Sequence, residues 1–266
     1  DAERAGELQR KIPPFVLRRT KKQVATELPP KTEIVHFCEM EAQQQDVYNS
    51  YKAEFQKYLS DLSEEEVQSS SLHILQGITK LRQICNSPSL LGDEEFYGEE
   101  SAKIRELMHQ LRTLKDAHKI LVFSQFVGML DLVKEQLEKE DIGYAYLTGK
   151  TKNREREVER FQQDEAIRVF LISLKAGGTG LNLTQAEYVF LIDPWWNPAV
   201  ENQAIDRAYR IGQQNKVIAI RFITPNSIEE KIMELQERKR LLAEELIHTD
   251  SSILKSLQKK DLLNLL

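Results

Sequence analysis

The spacing of apolar residues changes character near Lys119. Before that point, hydrophobic positions in Gln43–Leu62 and Ser71–Cys85 recur at helical intervals, separated by the polar run SEEEVQSSS. Pro13-Pro14 and Pro29-Pro30 each interrupt regular structure, and the β-branched and aromatic residues of 32–37 predict one strand. The loop SPSLLGDEEFYGEE closes this mostly helical portion, which spans residues 1–100. From Lys119 onward the apolar runs shorten to strand length: KILVFS, YAYL, RVFLIS, EYVFLID and KVIAIRFI. Helical stretches follow several of them, namely FVGMLDLVKEQLEKE, KNREREVERFQQD and PAVENQAIDRAYRI. Near-continuous apolar strands alternating with helices predict a doubly wound, mainly parallel α/β sheet over 101–224, with helices on both faces. After Pro225, Ser227 and Glu230 fit a capping box. Ile228, Ile232, Leu235, Leu242 and Leu246 then repeat at helical spacing, so 225–266 reads as an amphipathic helix with a tail.

Composition narrows the function classes. The chain has 37 basic and 42 acidic side chains, a net charge of −5, which argues against a uniformly basic nucleic-acid coat. Local grip on a phosphate backbone stays open, because Arg18-Arg19-Thr20-Lys21-Lys22 and Arg154, Arg156 and Arg160 are clustered. Solvated helix faces account for the same clusters equally simply. No apolar run approaches membrane-spanning length, and the charged N-terminus has no signal-peptide core. Cys38 and Cys85 stand far apart, the histidines are scattered, and no metal-ligand spacing results; a reduced intracellular setting is the expectation.

In an open parallel sheet, ligands bind beyond the carboxyl ends of the strands, so the segments leaving each strand matter most. After RVFLIS comes Leu174-Lys175-Ala176-Gly177-Gly178-Thr179-Gly180-Leu181-Asn182, whose glycines suit close approach to phosphate; a tight turn needs them as well. It is a poor dinucleotide fingerprint, because Leu183 stands where the third small residue belongs. After EYVFLID comes Pro194-Trp195-Trp196-Asn197-Pro198, with both tryptophans of the chain. They are read either as core or as rings offered to a nucleic-acid groove.

Asn197 and Pro198 fit the N-cap and first turn of a helix ending at Gly212. In that helix Val200, Ala204, Ala208 and Ile211 would face the core. Gln203, Arg207 and Arg210 would share a neighbouring stripe, where an anionic target relieves the repulsion of two like charges. A nucleotide triphosphate fits, as do ion pairs with Asp206 or Glu201. Gly149-Lys150-Thr151 mimics the end of a P-loop, but Gly143 is one residue too distant, and no strand ends in a magnesium-binding Asp-Glu pair. Candidate arginine fingers without a nucleotide-holding loop suggest half of a two-lobed motor.

These segments resemble motifs five and six of Swi/Snf-type ATPases of helicase superfamily two. Ser173–Leu183, Asp193–Pro198 and Gln203–Gln213 carry the resemblance, with Lys119–Gln125, Leu17–Lys21, Leu28–Lys31 and Leu81–Asn86 in support, and the Pro-Trp-Trp-Asn-Pro form is most like bacterial members. The resemblance implies a RecA-like second motor lobe with a helical protrusion before it and a brace helix after it. It implies that Gln203, Gly180, Arg207 and Arg210 face ATP, with the two arginines catalytic. Ser124, Gln125, Lys175, Gly177, Gly178, Thr179 and Trp196 would contact double-stranded DNA. ATP and Mg2+ would be held mainly by a first lobe upstream, leaving this chain inactive alone. The bacterial cytoplasm or nucleoid is the implied setting, or the nucleus of a eukaryote. Lys175 stands where many relatives have arginine, Ser87 where histidine is frequent, and Tyr209 where histidine is common. An RNA-helicase lobe and a non-catalytic DNA-binding or docking module are the alternatives.

Overall fold

A computed structural model describes residues 28–92, 101–176, 180–242 and 259–266. Its centre is a six-stranded, entirely parallel sheet in the order β1-β6-β5-β2-β4-β3. The strands are β1 (Lys31–Phe37), β2 (Ile120–Ser124), β3 (Tyr144–Leu147), β4 (Val169–Ser173), β5 (Tyr188–Leu191) and β6 (Val217–Ile223). Every residue of β2 and β4 is buried, as expected of strands covered on both faces. The strand foreseen near 32–37 does not stand apart in the helical portion. β1 forms an edge of the sheet, with Lys31 opposite Val217 and Phe37 opposite Ile223.

Successive side chains alternate between two cores. Leu121 and Phe123 of β2, Phe170 and Ile172 of β4, and Val189 and Leu191 of β5 face one core. Phe161 of α6 (Arg154–Gln163) and Ala204 and Ile205 of α7 (Pro198–Ile205) close it. Ile120, Val122, Val169, Leu171 and Phe190 face the other, covered by α4 (Ala102–Leu114) and α5 (Val127–Lys139). Full burial of each such Leu, Ile or Phe side chain contributes about 1.5–3 kcal/mol.

The segment between β1 and α4 builds a third, helical layer from α1 (Ala42–Asp61), α2 (Glu64–Ser69) and α3 (Ser71–Asn86). The polar run expected to be a loop contains α2, started by a complete capping box: Glu66 N–H donates to Ser63 Oγ, and Ser63 N–H donates to the Glu66 carboxylate. Helix α4 was not foreseen; Ser101 caps it by accepting from Ile104 N–H at 3.1 Å. The tail helix α8 (Ile228–Leu242) and the terminal α9 (Lys259–Asn264) join the helical layer, where Ile228, Ile232 and Leu262 are buried with Tyr48, Leu59 and Ile78. The start of α8 differs from a simple box: Ser227 Oγ accepts from Glu229 N–H, while the Glu230 carboxylate accepts from Asn226 N–H. Leu246 lies outside the described residues. Among the described residues, no helix is long and apolar enough to cross a membrane.

Candidate nucleotide and nucleic-acid site

Adjacent strands β2 and β5 send their following helices, α5 and α7, to opposite faces of the sheet. Their carboxyl ends therefore flank the crevice where doubly wound sheets bind ligands. Asp193, 1% exposed, bridges that crevice. Its carboxylate accepts the Ser124 hydroxyl and, at 3.1 Å, the Gln125 N–H. Ser124 Oγ in turn accepts from Phe126 N–H at 3.0 Å, and its carbonyl accepts from Leu174 N–H at 2.9 Å. The ends of β2, β4 and β5 are thus locked together by one short-side-chain network, which charge-assisted hydrogen bonds make rigid.

The sequence-predicted DNA contacts divide into three groups. Lys175 is exposed just beyond β4, and Gln125 is half-buried just beyond β2, so both stand at the crevice edge. Ser124 and Trp196 do not. Ser124 is fully buried, its hydroxyl engaged by Asp193. Trp196 is 5% exposed and packs in the helical layer with Ile84, Cys85 and Ile228. The groove-facing reading of Trp196 is corrected to the core reading: its ring gains more from apolar burial than a short loop between two prolines suggested. Gly177, Gly178 and Thr179 lie outside the described residues, as does the 18–22 basic cluster. Of the other cluster, Arg160 pairs with Glu157 at 3.0 Å, and Arg154 reaches the Ala176 carbonyl at 3.5 Å.

The nucleotide candidates lie on the segment following β5. Asn197 caps α7 through Ala199 N–H at 2.9 Å, with Pro198 in the first turn. The helix ends at Ile205 and not at Gly212, because its next carbonyls are taken elsewhere. The Arg207 carbonyl accepts from Leu183 N–H at 3.0 Å, and Gln213 Nε2 donates to the Ala208 carbonyl at 3.2 Å and to the Ala186 carbonyl at 2.9 Å. Gly212, at φ 101°, turns the chain into β6. Ile211, expected in the apolar stripe, is 68% exposed, whereas Ala204 and Ala208 are buried.

Gln203 and Arg210 are exposed and Arg207 is half-buried. The Leu183–Arg207 hydrogen bond ties the far end of the glycine-rich loop to this turn, and Gly180 in that loop has φ 64°. Burial and the neighbouring Arg210 charge lower the Arg207 pKa, with Asp206 opposing. Among the described residues, no ion pair holds either guanidinium. Glu201, one expected partner, instead pairs with Arg221 at 2.8 Å, and Arg221 also reaches Glu33 at 2.9 Å. Like-charged guanidiniums set side by side without a carboxylate between them form an anion-binding arrangement.

Sequence reasoning missed two buried cations behind the crevice. Arg82, 4% exposed, donates to Gln125 Oε1 at 3.0 Å and to the Pro194 carbonyl at 2.5 Å, between the rings of Phe126 and Trp196. Lys103, 0% exposed, donates to Glu229 and to the Ile192 carbonyl, each at 2.6 Å, and to Asn86 Oδ1 at 3.1 Å. Helical spacing carries the signal for both: Arg82 falls in the stripe of Ile74 and Ile78, and Lys103 in that of Leu107 and Leu111.

Residues 102–212 match the helicase conserved C-terminal domain, and residues 1–90 match the SNF2-related domain. The chain is 39% identical over 264 residues to the putative ATP-dependent helicase/translocase YwqA of Bacillus subtilis, covering 95% of this chain and 28% of that protein. It spans about a quarter of the length of the curated relatives it matches. Among solved structures, the Sulfolobus solfataricus SWI2/SNF2 ATPase C-terminal domain superposes with TM-score 0.69 at 30% identity, over 87% of this chain and 96% of that one. The core of the Sulfolobus solfataricus SWI2/SNF2 ATPase in complex with dsDNA superposes with TM-score 0.72 at 32% identity, over 97% of this chain and 55% of that one. With its RecA-like parallel sheet and these matches along nearly its whole length, the chain belongs to the SWI2/SNF2 ATPase family.

Proposed function

We propose that this chain is the second motor lobe of an ATP-driven double-stranded DNA translocase, completing its ATPase site against a first lobe and inactive as an ATPase alone. The observation that carries this reading is the Arg207–Arg210 pair, set at the carboxyl edge of the sheet and tethered through Leu183 to the glycine-rich loop. The nucleotide, when bound with magnesium by the first lobe, supplies a phosphoryl group for transfer to water. Arg207 and Arg210 donate hydrogen bonds to its phosphates and stabilise the charge that develops there. Their mutual repulsion fits a polyanion, because a triphosphate between them converts a cost into an attraction. Gln203 presents its amide to the same cleft, and the backbone at Gly180 lines it.

The DNA-facing role falls to Gln125 and Lys175, with Gly177, Gly178 and Thr179 in the loop beside them. Lys175 gives a point charge to the phosphate backbone where an arginine would give a planar fork. Ser124 and Trp196 support these groups from behind. The segment 225–266 acts as a brace toward the first lobe, and 1–100 supplies the linker and helical protrusion.

Turnover of ATP, with and without duplex DNA, tests this reading in the chain alone, in the longer two-lobed protein, and in that protein carrying Arg210→Ala. The short chain is expected to be silent and the long one DNA-stimulated, with Arg210→Ala lowering turnover on the order of 10³-fold or more. Unaided turnover by the short chain, or an unchanged Arg210→Ala protein, would overturn it. Stimulation by RNA in place of duplex DNA would instead mark an RNA-helicase lobe. A longer protein with no turnover at all would mark a binding module.

A further inference from the structure

Gln125 is the candidate DNA contact whose side chain the structure orients most fully, and the residue that orients it comes from another layer. Arg82 lies on α3, in the helical insertion, 43 positions earlier in the chain. Its guanidinium only donates, so the atom of the Gln125 amide that faces it at 3.0 Å is the oxygen, Oε1. The amide nitrogen, Nε2, is then directed away from Arg82. It is buried and has no hydrogen-bond partner among the described residues. A second donor of Arg82 fixes the Pro194 carbonyl at 2.5 Å, on the opposite wall of the crevice. The planar group is held between the Phe126 and Trp196 rings, 5.6 and 5.7 Å from their centroids. Arg82 therefore meets both segments leaving the crevice, and Asp193 holds the backbone of the same Gln125 at 3.1 Å.

We propose that Arg82 is a positioning residue: it fixes the Gln125 amide so that Nε2 is offered to a phosphate oxygen of the DNA backbone, making the helical insertion part of the DNA-binding edge. The inference rests on the motor-lobe reading above, since it needs DNA at this edge. It adds that the guanidinium acts through Gln125 without touching DNA. A phosphate oxygen is an acceptor, which suits the unpartnered donor. It also explains why arginine is needed, because lysine has no planar fork with which to reach Oε1 and the Pro194 carbonyl together.

The test measures, in the two-lobed protein, the duplex concentration giving half-maximal ATPase stimulation and the turnover at saturating duplex. The variants are Arg82→Lys, Gln125→Met and the two combined, and thermal midpoints are recorded for each. Gln125→Met is expected to raise the half-saturating concentration about tenfold, the cost of losing one charge-assisted hydrogen bond. Arg82→Lys should raise it by a similar or smaller factor, with saturated turnover kept within about twofold. The combined variant should be no worse than Gln125→Met, because Arg82 then has no amide to place. Multiplying effects in the combined variant, an unchanged half-saturation in Gln125→Met, or a loss confined to saturated turnover would each overturn the proposal. If Arg82→Lys does not fold, the same cycle is run with Arg82→Gln, and Gln125→Met alone still decides against it when half-saturation is unchanged. A wild-type protein that duplex fails to stimulate would sink the motor-lobe reading itself, and this inference with it. A stimulated wild type with multiplying variants sinks the inference only.

Discussion

Lys103 Nζ and a carboxylate oxygen of Glu229 lie 2.6 Å apart with both side chains wholly buried, 126 residues apart in the chain. The pair joins α4 to the start of α8, and Lys103 also grips the Ile192 carbonyl at the end of β5. Glu229 is held from the other side by Thr224 N–H at 3.0 Å. Burial raises the Glu229 pKa, with Lys103 opposing it.

Removing one partner leaves a buried charge uncompensated. Lys103→Met is therefore expected to destabilise the chain by about 3–5 kcal/mol, while Lys103→Met with Glu229→Leu recovers much of that loss. Denaturant unfolding of the single and double variants checks it. A double variant as unstable as the sum of the two singles would show that the pair is not the relevant unit.

Trp196 distinguishes core from contact. Filling the helical layer beside Ile84 and Ile228, it should cost about 3–5 kcal/mol of stability when replaced by alanine. Trp196→Phe should retain most of the stability and most of the duplex affinity. A Trp196→Ala protein of unchanged stability but weakened duplex binding would restore the groove-facing role.

Acid should act through Glu33. Burial raises this carboxyl, but hydrogen bonds and charges from Lys31 and Arg221 outweigh it and hold its pKa below 4.5. A carboxyl lowered in the folded state contributes stability that is complete above the unfolded value and disappears as pH falls through the folded one. Melting temperature followed from pH 6 downward should therefore drop below about pH 4.5, and Glu33→Gln should flatten that drop. Equal acid sensitivity in both proteins would assign the effect to other carboxylates.

The sequence by itself determined the sheet and the place of the site. Strands β2 to β6 fall within two residues of the apolar runs that announced them, because a strand buried on both faces must be apolar at nearly every position. The cap of α7 at Asn197-Pro198 and the neighbourhood of Arg207 and Arg210 were also legible, since both depend on residues a turn apart. Tertiary structure decided what distant partners control. Helix α7 stops at Ile205 because Leu183, from another segment, takes the Arg207 carbonyl; local spacing contains no trace of that competition. Whether Trp196 points to core or groove depended on the helical layer arriving beside it, and the place of β1 depended on β6, which follows 180 residues later. Arg82 and Lys103 look like ordinary surface cations in a chain 30% charged. They became interior anchors only when carbonyls and carboxylates from other layers closed around them, since a buried charge is tolerated where such partners converge.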